Sequence, residues 1–368
     1  MIDHDFILAV ASHFALGGAP ARIKELTAGN INVTYRLDMG EDKTAPRYVL
    51  QRINTSAFKD PVSLMENVGL VTAHIRASYE GEGIDPSRRV LSFVQADNGT
   101  LLHQDSEGGA WRCYVYVDNV TAYDAIESAA LFREAGVGFG EFQTRLSDFP
   151  AARLTETIPG FHNTARRFET FMASVEKDAA GRAASVADEI EFFTSRKALM
   201  SSIVDRLGGE LPLRVTHNDT KLNNVLIDDE SGKALCVIDL DTVMPGSALY
   251  DYGDAVRYGA CTAAEDEPDT SKIGFDMELF RAFTEGFVSA TAGNLTDTEI
   301  KLLPLGIAVI TCELAMRFMT DYLDGDVYFK TAYEGHNLVR ARAQMKLLTE
   351  VEAKMEEMYA FVEGLLNK

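Results

Sequence analysis

The chain has 368 residues, 46% hydrophobic and 25% charged, which is a globular composition with room for about two domains. Its 56 acidic and 35 basic residues give a formal net charge of −21, which disfavours binding to nucleic acid or to an anionic membrane. The four cysteines form no CxxC pair, so neither a zinc finger nor a disulfide framework is expected.

The N-terminal segment MIDHDFILAVASHFALGG is acidic near its start and has the spacing of an amphipathic helix, unlike a secretory signal. No run approaches the roughly 18 consecutive apolar residues that a membrane span needs. We therefore expect a cytoplasmic protein that does not bind a membrane. The sequence leaves its oligomeric state open.

The first third of the chain has the pattern of strands with one inserted helix. Alternating residues predict strands at 32–39, 47–53 and 111–117, and Asn98-Gly99 marks a hairpin within 90–105. Apolar residues at helical spacing, with a proline in the first turn, predict a helix at 61–79.

Helical periodicity dominates from about Asp118 onward, interrupted by a β island at 215–241. This pattern predicts an α+β fold with a small β-rich lobe at 1–118 and a larger, mainly helical lobe at 119–368. The predicted helices are 128–147, 166–180, 186–207, 276–290, 296–323 and 336–365.

The β island carries an unusual density of functional side chains, in the stretch THNDTKLNNVLID. Asp219 precedes Asn224 by five residues, and after the turn DESGK the chain returns as a strand that ends at Asp239 and Asp241. Because a hairpin brings its two ends together, we expect Asn224 and Asp239 to lie side by side, with Asp219 above them.

This set of side chains is suited to phosphoryl transfer. The oxygen ligands of Asn224 and Asp239 suit Mg²⁺, which keeps positions for water and phosphate. The carboxylate of Asp219 can orient and deprotonate an attacking hydroxyl. The pattern HxDxxxxN, followed by a hydrophobic strand that ends in Asp, matches the catalytic loop and metal site of kinases, so ATP and Mg²⁺ are the expected cofactors.

The same stretch resembles the aminoglycoside phosphotransferase and choline kinase-like superfamily, and within it the N-acetylhexosamine 1-kinases. The resemblance extends over nearly the whole chain, through ASHFAL, RYVLQRINTSAF, VIDLDTVMPGSALYDYGDAVRYGA, AMRFMTDYLDGDVYF and HNLVRARAQMKLL. It implies a protein-kinase-like fold of two lobes. It also implies transfer of the ATP γ-phosphate to the anomeric hydroxyl of N-acetylglucosamine or N-acetylgalactosamine.

The resemblance assigns roles to individual positions. It makes Asp219 the catalytic base in contact with the sugar, and Asn224 and Asp239 the metal ligands, with Asp239 also at the nucleotide. The remaining positions are Asn30, Arg317 and Tyr328 for the sugar; Gly29, Gln51 and Tyr116 for the nucleotide; and His217 and Asp254 as supports of the catalytic loop. Apart from the resemblance, Arg317 has the spacing of an ion pair with Asp321, one helical turn on.

Two departures keep other readings open. The strand that carries the phosphate-binding lysine in protein kinases has Gln51 here. In the N-acetylhexosamine 1-kinases that this chain resembles, the position of Asn30 is a histidine that contacts the sugar, so the affinity and the preferred epimer stay open. The acceptor could instead be choline, an aminoglycoside or another amino-alcohol. A catalytically silent nucleotide-binding regulator and a two-metal phosphohydrolase are further alternatives, although the latter would need more His and Asp ligands.

Overall fold

The computed structural model describes residues 4–27, 31–42, 44–291 and 293–367. Its α-helices are α1 (His4–Ala11), α2 (Pro61–Gly81), α3 (Ala129–Arg145), α4 (Thr164–Lys177), α5 (Ala187–Thr194), α6 (Lys197–Ser201), α7 (Ala248–Gly259), α8 (Met277–Ala290), α9 (Asp297–Lys301), α10 (Leu303–Asp324) and α11 (His336–Leu366). Its strands are β1 (Arg22–Leu26), β2 (Val33–Asp38), β3 (Arg47–Ile53), β4 (Phe93–Val94), β5 (His103–Gln104), β6 (Ala110–Val115), β7 (Val120–Ala122), β8 (Arg214–Thr216), β9 (Val225–Asp228), β10 (Ala234–Val237) and β11 (Met244–Gly246).

Two compact units divide the chain, and both are discontinuous in sequence. The first unit is Met1–Thr121, Arg153–Ile158 and Leu226–Met244, and the second is Ala122–Ala152, Pro159–Val225 and Pro245–Lys368. The N-terminal region is rich in sheet and the C-terminal region is mainly helical, which confirms the predicted α+β class. The predicted domain boundary after residue 118 stays a prediction.

The first unit is built on an antiparallel sheet in the order β1-β2-β3-β6-β4, with β5 also paired to β6. Inward-facing residues of this sheet pack with α1 into a core that contains Leu37, Leu50 and Trp111, each fully buried. The predicted turn is present at Asn98-Gly99. However, β4 and β5 each pair with β6 and not with one another, so residues 90–105 do not form a simple hairpin.

The second unit is a set of packed helices. The pattern at 186–207 predicted one helix, but the chain forms α5, α6 and a short 3-10 turn there, and 296–323 is divided into α9 and α10. Pro304 stands in the first turn of α10, where its missing N–H costs nothing, so it favours a new helix start. Helix α7 was not predicted, and the side chain of Ser247 caps its first turn.

Helix α10 is also long and apolar enough to pass a length-and-composition test for a membrane span. Within the protein, 78% of its most apolar window is buried. This burial is what a helix at the centre of a globular core would show, and such a helix passes the same test.

Helices α3 and α8 approach one another closely because glycines line their contact. A Cβ atom at Gly136 or Gly140 of α3 would overlap the backbone carbonyl oxygen of Phe283 or Phe287 on α8. In the reverse direction, a Cβ at Gly286 of α8 would overlap the carbonyl oxygen of Arg133. The small residues therefore set the distance between these two backbones.

Replacing Gly136 with alanine should destabilise the second unit, because the backbone of α8 cannot yield as a flexible side chain would. We expect a loss of about 2 kcal/mol or more in the free energy of unfolding, although alanine is the better helix former. Urea unfolding followed by far-UV circular dichroism measures it. Gly81→Ala is the matched control, since Gly81 is helical with nothing within 4 Å of a Cβ there. Equal stability of the two variants would contradict this account of the packing.

Candidate active site

The catalytic-loop motif, residues 217–224, lies in the second unit between β8 and β9. Asp251 of α7 is buried behind it and accepts hydrogen bonds from the backbone N–H groups of His217 and Asn218, both at 2.8 Å. Thr220 Oγ1 donates to the carbonyl oxygen of Asp251 at 2.6 Å. Burial raises the pKa of Asp251, while His217 and the two N–H groups oppose that shift. The loop backbone is thus fixed by one carboxylate.

Asp254, one turn further along α7, provides a second anchor. Its carboxylate accepts from the backbone N–H of Thr220 at 3.2 Å and from Arg257 Nη2 at 2.7 Å. Burial alone would raise the pKa of Asp254, but the charge and hydrogen bond of Arg257 outweigh it and hold the pKa below its usual value. Asp254 therefore supports the loop as an ionised group, together with Asp251.

The structure brings Asp219 and Asn224 together. Asn224 Nδ2 donates to the carbonyl oxygen of Asp219 at 2.7 Å and to its Oδ2 at 3.2 Å. Lys221 Nζ lies 2.8 Å from Asp219 Oδ1. Because both donated bonds come from the amide nitrogen of Asn224, its Oδ1 atom is directed away from Asp219.

His217 is fully buried beneath this loop. Its ring packs edge-on against Phe139 at 5.7 Å and Phe142 at 5.8 Å, both from α3, and its Nδ1 accepts the backbone N–H of Asp219 at 3.3 Å. These contacts brace the loop from below. The next residue, Asn218, has a left-handed backbone conformation, with φ of 64°.

Asp239, the other predicted metal ligand, belongs to the first unit. It follows β10 in a left-handed conformation, with φ of 60° and ψ of 57°, and begins the short 3-10 turn Leu240–Thr242. A non-glycine residue with this backbone is uncommon and is found often at functional positions.

Asp241, two residues on, is held in a buried ion pair with Arg112 of β6, and both side chains are 4% exposed. Asn32 Nδ2 donates to the second oxygen of Asp241 at 2.7 Å. Burial alone would lower the pKa of Arg112, but Asp241 outweighs it and raises that pKa. The turn that contains Asp239 is therefore fixed to the sheet of the first unit.

Gln51 takes part in the same network. It faces Arg112 across the β3–β6 pair, and its Oε1 accepts from Arg112 Nε at 2.8 Å and Nη2 at 2.6 Å, while its Nε2 donates to Thr34 Oγ1 at 3.0 Å. Where protein kinases have a lysine on this strand, the cation here is Arg112 on the neighbouring strand β6. Its donors are occupied by Gln51 and Asp241.

Two of the predicted contacts, Gly29 for the nucleotide and Asn30 for the sugar, lie outside the described residues. Tyr116, the remaining nucleotide contact, is described. Tyr116 follows β6, with Arg36 and Arg47 near its ring at 5.7 and 5.8 Å. Its backbone N–H donates to the carbonyl oxygen of Arg47 at 2.9 Å, so that donor is not available to a purine.

Arg317 and Tyr328 lie close together in the second unit, around the ring of Phe329. The guanidinium of Arg317 is 5.5 Å from the centre of that ring, and the ring of Tyr328 stands perpendicular to it at 4.8 Å. Tyr328 is 71% exposed. The backbone N–H groups of Val327, Tyr328 and Phe329 donate to Asp321 at 2.7 to 2.9 Å.

The predicted ion pair between Arg317 and Asp321 is wrong, because Arg317 pairs with Glu313 instead. Arg317 Nη1 lies 3.8 Å from Glu313, one turn before it on α10, and Asp321 is used by the loop that follows. Glu313 also accepts from His162 Nδ1 at 2.8 Å and lies 3.8 Å from Arg167 Nε. Burial alone would raise the pKa of Glu313, but these neighbours outweigh it and lower that pKa.

Comparison with known proteins agrees with this geometry. The sequence profile of APH, the phosphotransferase enzyme family, matches residues 22–276. The chain belongs to the phosphotransferase enzyme family. It is a small-molecule kinase, and its catalytic loop carries the HxDxxxxN pattern on which the expected chemistry rests.

Solved structures of the same fold include a microcompartment-associated aminopropanol kinase, with a TM-score of 0.61 and 15% identity over 97% of this chain and 98% of that one. A choline/ethanolamine kinase family protein from Mesorhizobium loti gives 0.55 and 14%, covering 97% and 98%. A spectinomycin phosphotransferase bound to ADP and spectinomycin gives 0.52 and 13%, covering 94% and 99%. At these identities the similarity establishes the fold alone.

Sequence reasoning missed three buried residues that support the predicted site: Arg112, Asp251 and Glu313. Glu313 could have been found from its i,i+4 spacing to Arg317, since either direction along a helix can form a pair. Asp251 could have been found from its place soon after the turn that contains Asp239 and Asp241. Arg112 left no local signal, because its partner Asp241 is 129 residues away.

Removal of Arg112 should destabilise the first unit strongly, because it would leave the buried carboxylate of Asp241 unpaired. For Arg112→Met we expect a loss of about 3–5 kcal/mol in the free energy of unfolding, measured in urea by the fluorescence of Trp111. The double variant Arg112→Met/Asp241→Leu is the control, and it should recover much of the loss because no buried charge remains. A double variant as unstable as the single one would show that packing, and not charge pairing, is responsible.

Proposed function

We propose that this phosphotransferase is an ATP- and Mg²⁺-dependent kinase that phosphorylates the anomeric hydroxyl of an N-acetylhexosamine, N-acetylglucosamine or N-acetylgalactosamine. The observation that carries the choice of acceptor is the pair of guanidinium groups of Arg167 and Arg317, each 3.8 Å from Glu313. The transfer chemistry rests on Asp219 and its neighbours.

In the proposed reaction Asp219 accepts the proton of the sugar hydroxyl as its oxygen attacks the γ-phosphorus, and the bond to the β,γ-bridging oxygen of ATP breaks. The side chain of Asp219 is 23% exposed, so a substrate can reach it. Lys221, 2.8 Å from Asp219, is positioned to balance negative charge on the transferred phosphoryl group.

The donor set fits a hard divalent cation. The amide of Asn224 is oriented by two donated hydrogen bonds, which directs its oxygen away from Asp219. Asp239 offers a carboxylate from a constrained turn. Each residue thus offers an oxygen ligand of the kind that Mg²⁺ prefers, and the ion would neutralise charge on the phosphates during transfer.

The acceptor region assigned by the resemblance contains two neighbouring guanidinium groups, those of Arg167 and Arg317. Burial lowers the pKa of Arg167, and the nearby positive charge of Arg317 lowers it further. Between them lies one buried carboxylate, Glu313, which His162 already uses. Asp321, one turn from Arg317, is engaged by the backbone N–H groups of the loop that follows α10. The two guanidinium groups can donate to the hydroxyls and the N-acetyl carbonyl of a neutral sugar, whereas they offer no acceptor to a cationic substrate.

The second candidate is an amino-alcohol kinase. It is favoured by the named activities of the structural neighbours, an aminopropanol kinase and a choline/ethanolamine kinase family protein. The net charge of −21 would also favour a cationic acceptor. Against it stand the two guanidinium groups of Arg167 and Arg317.

A panel of acceptors separates the two candidates. With ATP and Mg²⁺ we expect ADP release with N-acetylglucosamine or N-acetylgalactosamine, and little with choline, ethanolamine, aminopropanol or spectinomycin. Phosphorus coupling to the anomeric proton in NMR identifies the 1-phosphate. Turnover of an amino-alcohol alone, or phosphate on the 6-hydroxyl, would overturn the assignment.

The variant Asp219→Asn tests the catalytic base. Its kcat should fall by about 10²–10⁴-fold with the KM for ATP nearly unchanged.

Replacement of Arg317 with lysine tests the acceptor contact itself. Lysine keeps the charge but loses the planar fork of donors, so the KM for the sugar should rise at least about tenfold while the KM for ATP is retained. Arg340→Lys is the matched control, because Arg340 also lies over an aromatic ring of this unit, Phe318, at 5.4 Å. If both variants bind the sugar like the parent protein, Arg317 does not contact it.

A further inference from the structure

Three side chains that could ligate a metal converge in the first unit, outside the catalytic-loop sequence: His13, Asp97 and His103. One ligand atom from each lies within 4.8 Å of the other two. His13 Nδ1 is 2.6 Å from Asp97 Oδ2, and the two imidazole rings are stacked, with centres 4.0 Å apart and planes at 14°. We propose that these residues bind a divalent transition-metal ion of the Zn²⁺ class.

The chemistry of the donors selects the metal. Two imidazole nitrogens and one carboxylate oxygen suit Zn²⁺, Cu²⁺ or Ni²⁺, with water in the remaining position. Mg²⁺ prefers oxygen ligands alone, so the ion proposed for catalysis would not compete for this site. The site is therefore chemically distinct from the one assigned to Asn224 and Asp239.

The backbone already holds two of the ligands in place. The N–H of Asp97 donates to the carbonyl oxygen of His13 at 2.8 Å, and the N–H of Ala15 donates to that of Gln95 at 3.2 Å. Between these bonds, Phe14 and Ala96 form an antiparallel bridge. Ligand atoms about 2.0–2.1 Å from a tetrahedral Zn²⁺ lie roughly 3.4 Å apart. Rotation of side chains, without movement of the chain, is the adjustment required.

The third ligand comes from the sheet. His103 is on β5, where its Cα faces that of Trp111 on β6, and Phe14 packs edge-on against its ring at 6.2 Å. The opposite side is open, since the side chains of His13 and Asp97 are 42% and 58% exposed. An ion can thus enter from solvent, on the side of His103 opposite the ring of Phe14.

The hydrogen bond between His13 and Asp97 explains only two of the three groups. The imidazole of His103 is the third, stacked on that of His13 at 4.0 Å. Because a nitrogen lone pair lies in the plane of its ring, both rings must turn out of this stack to direct a nitrogen to one ion. Binding would fasten the segment after α1 to β5 and so stabilise the N-terminal helix.

The experiment uses the full chain after removal of metals with EDTA and dialysis. Zn²⁺ should raise Tm, whereas Mg²⁺ at the same concentration should not raise it through this site. Cu²⁺ should quench the fluorescence of Trp111, the single tryptophan of the chain, because His103 is its cross-strand neighbour. Because Cu²⁺ binds such ligands more tightly than Zn²⁺, a large excess of Zn²⁺ should reverse this quenching by competition.

His13→Gln and His103→Gln should each weaken both effects by more than about tenfold. His4→Gln is the matched control, since His4 is exposed on α1 and is not one of the three clustered residues. Asp97→Asn, which keeps a hydrogen-bonding group beside His13, serves if a histidine variant unfolds. The proposal fails if Zn²⁺ leaves the Tm of the parent protein unchanged, or if the cluster variants respond to Zn²⁺ and Cu²⁺ as His4→Gln does.

Discussion

A buried loop without regular structure needs acceptors for its backbone N–H groups, and the catalytic loop depends on Asp251 for two of them. The loop residues His217 and Asn218 are buried, so water cannot take that role. A buried N–H left without a partner costs about 1–3 kcal/mol. The shape of the loop is therefore a property of α7 as much as of the loop sequence, and Asp219 takes its position from residues that follow it by thirty or so along the chain.

The loop that carries Tyr328 follows the same rule. Asp321, buried near the end of α10, accepts three successive backbone N–H groups, and Asn337 Nδ2 donates to its Oδ2 at 2.8 Å. One carboxylate thus replaces the hydrogen-bond partners that a strand would have supplied. In both cases an acid on a helix shapes an adjoining irregular segment, and one side chain of that segment stays accessible, Asp219 at 23% and Tyr328 at 71%.

The local code of the sequence was sufficient for the motif and for much of the fold. Alternation located β2 and β3, helical spacing located α2, and the five-residue interval from Asp219 to Asn224 identified a loop whose two side chains are in contact. The supports could not be predicted in the same way. Arg112 contacts Asp241 because of the register of β6 and the path of the turn that contains Asp239 and Asp241, and both are consequences of tertiary structure.

The missing strand lysine has a structural explanation in this network. A lysine at position 51 would be a point charge next to Arg112, whereas glutamine accepts two hydrogen bonds from that guanidinium and so helps to orient it toward Asp241. The arginine is consequently committed to the scaffold and cannot also bind phosphate through the same donors. In the proposed reaction the negative charge of the triphosphate would then be balanced by Lys221 and by the bound Mg²⁺. A protein with net charge −21 offers little diffuse compensation, so metal binding and turnover should be more tightly linked here than in kinases that keep the lysine.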